Sequence, residues 1–145
     1  MNYQAIRAAV EGPLLTAFNG LSPAIPVFFD NITAAPLNST TEYVRVNVTF
    51  GATNEATLTS SVDNARGSIV IRVFSEKAQG PARNQTLLTT AVGVLETLND
   101  TAKTAVTGDV YFRIGEVIGP TFSATDKAPH FVGQINAGYV ATVLP

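Results

Sequence analysis

No cysteine occurs among the 145 residues, which excludes disulfide staples, thiolate metal sites and a cysteine nucleophile. A single histidine, His130, excludes any centre that needs two imidazoles, the His-Glu-x-x-His zinc site included. Charge is scarce as well. Only 14% of residues are Asp, Glu, Lys or Arg, against a typical ~25%. The net charge of −2 and a pI near 5.2 give the chain no overall cationic footprint for grasping nucleic acid. Against this stand 46% hydrophobic residues and a mean hydropathy of +0.20. A small chain of this kind is expected to be poorly soluble alone or to bury much of its surface against partners. Composition therefore favours an assembling protein over an enzyme.

Two uncharged stretches are too broken to cross a membrane. Gly12 to Phe29 contains Pro13, Pro23 and Pro26, which no spanning helix tolerates together. Ala128 to Pro145 carries His130, Gln134 and Asn136 at strand-like even spacing. The N-terminus lacks a basic region followed by an apolar core, so a soluble, non-secreted chain is expected. The Asn-x-Ser/Thr sites at Asn31, Asn38, Asn47, Asn84 and Asn99 then reflect threonine richness rather than glycosylation.

What is present is periodicity. Tyr3, Ile6, Val10, Leu14 and Phe18 form a helical stripe over about 2–19, with Arg7 and Glu11 on the opposite face. Gly12-Pro13 predicts a kink or restart, since Pro13 has no N–H for the Ala9 carbonyl. Val27-Phe28-Phe29 reads as a short strand. Tyr43 to Gly51 alternates, with Val44, Val46, Val48 and Phe50 on the buried side. Gly67 to Ser75 is apolar on both sides, as in a central strand or an intersubunit contact. Ala52 to Arg66, between them, is polar and long for a plain connection. It is expected to be a projecting hairpin arm or a flexible loop, exposed and engaged in contacts.

Gly80-Pro81 opens a second helix with the stripe Leu87, Leu88, Ala91, Leu95 and Leu98, ending near Asn99-Asp100. Asp109 to Ile118 follows as a strand, and Phe131 to Val143 as the last. Gly133 and Gly138 are expected bulge or bend positions. The order of elements predicts an α+β fold, a mostly antiparallel β-sheet packed with two α-helices, in a single domain over 1–145.

Catalytic patterns are missing: no Gly-x-Ser-x-Gly elbow, no phosphate loop, no dinucleotide fingerprint. Asp109 and Glu116 lie seven apart on one strand and face opposite ways. His130 falls on the polar side of its strand and reads as a solvated or hydrogen-bonded surface residue, not a base. No catalytic, metal or cofactor-binding residue is assigned. Arg45 and Arg72, one on each long strand, read first as cross-strand partners of nearby carboxylates and alternatively as the lining of a groove. Glu55, Asp63 and Arg66 in the arm are either recognition elements or solubilising charges. These five are the candidate interface residues.

Several segments together resemble a known family. Ile6-Arg7-Ala8-Ala9-Val10 leads to Pro26-Val27-Phe28-Phe29-Asp30-Asn31, then Pro36 and Tyr43-Val44-Arg45-Val46. Arg66-Gly67 precedes Ile69-Val70-Ile71-Arg72-Val73-Phe74 and an amphipathic helix, and the last strand bears Gly133, Tyr139 and Val143. In order and spacing this is similar to the small tail-completion proteins of long-tailed phages, the tail terminators. Phe29, where tryptophan is common, and Gly12-Pro13 depart from the pattern. The resemblance implies a ring, usually hexameric, that caps the tail tube, stops its polymerisation and offers a docking surface to the head–neck connector. It implies a location in the tail at the neck, assembly in the host cytoplasm and genomic DNA passing through the lumen without sequence-specific binding. No reaction, cofactor or membrane is implied. Another neck component, a head-completion or stopper protein, is the alternative. A small-molecule-binding or hydrolytic α+β domain is a more distant one.

Overall fold

The computed structural model describes residues 3–21, 24–30, 42–55, 63–76, 81–100, 103–105, 108–123 and 130–143. Two helices lie against one side of a six-stranded sheet. The elements are α1 (Tyr3–Asn19), β1 (Val27–Phe28), β2 (Tyr43–Glu55), β3 (Asp63–Glu76), α2 (Ala82–Asp100), β4 (Lys103–Ala105), β5 (Gly108–Ser123) and β6 (His130–Val143). Their order across the sheet is β1-β2-β3-β6-β5-β4. All neighbours are antiparallel except β1 and β2. The α+β expectation holds; β4, three residues long, carries no readable pattern in the sequence.

Apolar spacing explains the layer. Ile6, Val10, Leu14 and Phe18 recur every fourth residue, and each is fully buried. The helix continues through Pro13 without a restart. A proline inside a helix costs ~3 kcal/mol, and burying four large side chains at ~1.5–3 kcal/mol each more than offsets that. Tyr3 leaves the stripe: it is 46% exposed. Its hydroxyl bonds Thr53 Oγ1 at 2.8 Å, and its ring meets Phe50 edge-on at 4.8 Å. On α2 the whole expected stripe is buried. It packs with Val44, Val46 and Val48 of β2, Ile69, Ile71 and Val73 of β3, and the odd-numbered residues from Ile135 to Val143 of β6 in one core.

Asn84 is a buried polar residue that periodicity did not single out. It is 0% exposed, and its Nδ2 donates towards the carbonyls of Val73 (3.0 Å) and Phe131 (3.2 Å). Gly133 makes room for it, since a Cβ there would lie 2.0 Å from Asn84 Oδ1. Neither Gly133 nor Gly138 is a bulge, for the β3–β6 register runs unbroken past both. The bulges lie in β2, between Phe50 and Ala52, and twice in β5, after Ile114 and after Ile118. The second β5 bulge contains Gly119, whose φ of 110° suits glycine alone.

The expected arm is largely sheet. Residues 52–55 and 63–66 continue the β2–β3 ladder, and 63–66 also pair with β6. Ala65 is completely buried. Strand propensity is weak here, and pairing on both sides of β3 supplies what the polar sequence does not. Residues 56–62, the rest of that expectation, lie outside the described residues.

Candidate interaction surface: two edges and an open face

The two outer edges of the sheet are finished differently. Beside β2, Asp30, two residues beyond the end of β1, accepts the Val48 N–H on Oδ2 at 3.0 Å. Arg7 of α1 donates through Nη2 to the Val48 carbonyl at 3.2 Å. An ion pair between Arg7 and Asp30 thus takes the N–H and C=O that Val48 would offer a further strand. Arg7 also pairs with Glu11 at 3.2 Å, and its guanidinium lies 5.7 Å from the Phe50 ring centre. Burial pushes the Asp30 carboxyl up, but hydrogen bonds from Arg7, Asn47 and Val48 N outweigh it and leave the pKa below its ordinary value. Burial raises Glu11, with Arg7 opposing.

The edge of β5 is capped at one point by a neutral side chain: Asn99 of α2 accepts the Ile114 N–H on Oδ1 at 2.8 Å and donates through Nδ2 to the Ile114 carbonyl at 3.3 Å. β4 pairs only with Gly108, Asp109 and Val110, so from Tyr111 onward the outer edge of β5 has no strand partner among the described residues. Tyr111 (42%), Ile118 (59%) and Phe122 (36%) are exposed along it, and Phe122 stacks on Phe131 at 5.5 Å. Pro120 and Leu88, Val92 and Ile135 line an adjoining groove of about 360 Å³.

The sheet face away from the helices carries Arg45, Arg72, Arg66 and Arg113. Arg45 stands directly opposite Arg72, so these two are not charge partners of each other. Nor does Arg72 hold a carboxylate. It donates through Nε to Gln134 Oε1 at 3.0 Å and through Nη1 to Asn47 Oδ1 at 3.2 Å, which corrects the reading that pairs it with an acid. Gln134 donates onward to Asn136 at 3.1 Å, and Asn47 donates to Asp30. A polar chain therefore runs from the plugged edge across β2, β3 and β6. Arg66 and Arg113 flank Val140 on the two neighbouring strands and line a depression of about 460 Å³ with Tyr111 and Thr142. Glu55 and Asp63 are register partners at the end of the β2–β3 ladder.

His130 does point away from the helix-side core, yet it is only 4% exposed. It sits edge-on to Tyr43 (5.3 Å) and Phe74 (6.1 Å), so the solvated surface histidine is corrected to a buried member of an aromatic cluster. Tyr43 and Phe74 come from other strands, and nothing local to His130 announces them. Tyr139 reaches across Gly67 to donate to the Thr49 carbonyl at 2.9 Å, and burial pushes its pKa up to about 12. Among the described residues no cluster of His, Cys, Asp or Glu suits a metal ion, and no helix is long and apolar enough to cross a membrane.

The sheet thus carries a side-chain cap on each long edge, charged at Val48 and neutral at Ile114, and an arginine-bearing face. Residues 5–92, more than half of the chain, match the family of phage tail terminator proteins. The chain belongs to that family and has a structural role in the tail of the virion. Comparison with curated proteins finds no match. One solved chain superimposes over 100% of this chain and 99% of its own, with a TM-score of 0.67 and 21% identity; this likeness is one of fold. A chain from the virion of a native gene transfer agent particle superimposes with a TM-score of 0.45 and 21% identity, covering 98% of each.

Proposed function

We propose that the whole chain, 1–145, acts as one non-enzymatic domain that closes into a ring, of six subunits, on the finished tail tube. The ring stops tube polymerisation and presents a docking surface to the head–neck connector, with genomic DNA passing through its lumen. It belongs to the neck region and is assembled in the host cytoplasm. Membership of the terminator family, carried by residues 5–92, is the observation on which this reading rests. The subunit suits it physically. A closed ring needs a head-to-tail contact between two different surfaces, and the two edges differ: β2 is capped at Val48 by an ion pair and β5 at Ile114 by the Asn99 amide, with exposed apolar side chains beside it. Tyr111, Ile118 and Phe122 supply apolar area on the open edge. Glu55, Asp63 and Arg66 at the end of the β2–β3 ladder, with Arg45 and Arg72 on the open face, form the rest of the partner surface.

The test is to add the purified chain to growing tail tubes. Elongation should stop, with one added layer at the tube end in negative stain. Tubes that grow on undisturbed contradict the reading. Addition to the portal side instead of the tube would identify a stopper.

A further inference from the structure

We propose that the open face of the sheet is a phosphate-contacting surface that holds the backbone of double-stranded DNA without reading its sequence. The observation is a partition of the arginines. Arg7 and Arg83, away from this face, are both neutralised, by Asp30 and Glu11 and by Glu42 respectively. No ion pair joins Arg66, Arg72 or Arg113 to a carboxylate among the described residues. Acids share these strands: Asp63 lies three residues from Arg66 and Glu76 four from Arg72 on β3, and Asp109 and Glu116 lie four and three from Arg113 on β5. Neither Glu76 nor Glu116 forms an ion pair with these arginines.

The layout fits a long anion better than a single carboxylate. Arg66 and Arg72 lie six residues apart on β3, ~20 Å along the strand, and Arg66 and Arg113 are two strand spacings apart, ~10 Å. Between them the face offers neutral donors: Gln134, Asn136, Thr142, and Thr49 hydrogen-bonded to Ser68 at 2.6 Å. Arginine together with Ser, Thr, Asn and Gln is the donor set that meets phosphate oxygens. The amides of Asn47 and Gln134 fix the Arg72 guanidinium while leaving its charge uncompensated, so the remaining donors are oriented in advance. The chain's net charge of −2 averages over this face and conceals it. A surface that lets DNA pass needs weak, salt-sensitive contacts and no base recognition, which a few arginines supply. The inference rests on the reading that DNA passes through the ring; it turns this face toward the lumen and so reassigns Arg66 and Arg72 from the protein partner surface to DNA.

The experiment is fluorescence anisotropy of the full-length chain with a labelled 30-base-pair duplex from about 20 to 200 mM salt. Binding is expected, independent of duplex sequence. Three phosphate contacts, from Arg66, Arg72 and Arg113, predict a log–log salt slope near ~−2.7. Arg66→Gln with Arg113→Gln, which removes side chains that hold nothing in the fold, should weaken binding roughly 10- to 100-fold and cut the slope to about a third. Arg83→Gln should leave binding unchanged. The proposal is overturned if the duplex is not bound at 20 mM salt or if the double variant binds as well as the original chain. It is equally overturned if polyglutamate competes as strongly as DNA, the result expected for an acidic protein partner. The original chain added to tail tubes separates the two readings: a ring without DNA binding removes this inference alone, and DNA binding without a ring removes the terminator reading alone.

Discussion

The β2 and β5 edges pose one problem and solve it with different side chains, an ion pair at Val48 and a neutral amide at Ile114. Each exposes backbone groups that invite another strand. At β2 the invitation is withdrawn: Asp30 and Arg7 occupy Val48 on both sides, and Phe28, Tyr43, Phe74 and His130 stitch β1, β2, β3 and β6 together on the open face. At β5 the Asn99 amide answers it at Ile114 alone, and the edge beyond Ile114 stays open beside exposed Ile118 and Phe122. The difference is one of charge and of apolar surroundings, and it gives a head-to-tail contact two unlike surfaces to join.

The largest expected effect comes from undoing the packing behind the closed side. Tyr139→Ala removes a ring packed near Phe50 and Phe112 and the bond to the Thr49 carbonyl beside the β2 bulge. It should cost ~3–5 kcal/mol in urea unfolding. Tyr139→Phe, which keeps the ring, should cost ~1 kcal/mol.

Opening the plug comes next. Asp30→Ala leaves Arg7 with Glu11 alone and frees the Val48 amide, at a cost of ~1–2 kcal/mol, and should make the chain prone to edge-to-edge association at β2. The same carboxyl sets an acid dependence. Its folded pKa is lowered, so its contribution is fully present above its unfolded value of ~3.9 and is lost as pH falls through the folded value. Glu11, raised in the fold, works in the opposite sense. Urea midpoints between pH 7 and pH 3 should therefore decline less steeply for Asp30→Asn than for the original chain.

His130→Ala sharpens the account of the stitching. A surface histidine would be replaced at no cost, whereas the buried ring between Tyr43 and Phe74 predicts a loss of ~1–2 kcal/mol with ring assembly retained. The smallest effect on stability belongs to the open edge. Ile118→Lys should change folding by less than ~0.5 kcal/mol, yet a charge on this edge should block assembly on tubes. Normal assembly by this variant removes β5 from the interface.

These outcomes trace what a linear sequence displays. The stripe from Leu87 to Leu98 and the alternation from Val44 to Val48 are local patterns, and both predicted burial correctly. The parity of His130 was equally legible, and so was its side of the sheet. Its burial was not, because Tyr43 and Phe74 reach it only through strand order. The plug was invisible for the same reason: Asp30 lies 18 residues from the amide it caps, and Arg7 lies 41 residues from the carbonyl it binds. Glycine misled in a different way. Gly133 and Gly138 were read as bends, but Gly133 serves the close approach of Asn84, and the bend is at Gly119. The candidate arginines were found by residue type, while the amides that hold Arg72 needed the register of the sheet.

The central claim is that copies join through the open edge and not through the plugged one. Hydrogen exchange on the chain alone and on the chain bound to tail tubes, with subunits counted by cryo-electron microscopy, tests it directly. The account predicts a closed ring of six in which amides beyond the Asn99 cap, from Gly115 to Ile118, exchange far more slowly than in the free chain, while those around Val48 stay unchanged. A chain that remains monomeric beside tubes, or a ring in which the β5 amides exchange as fast as before, contradicts it.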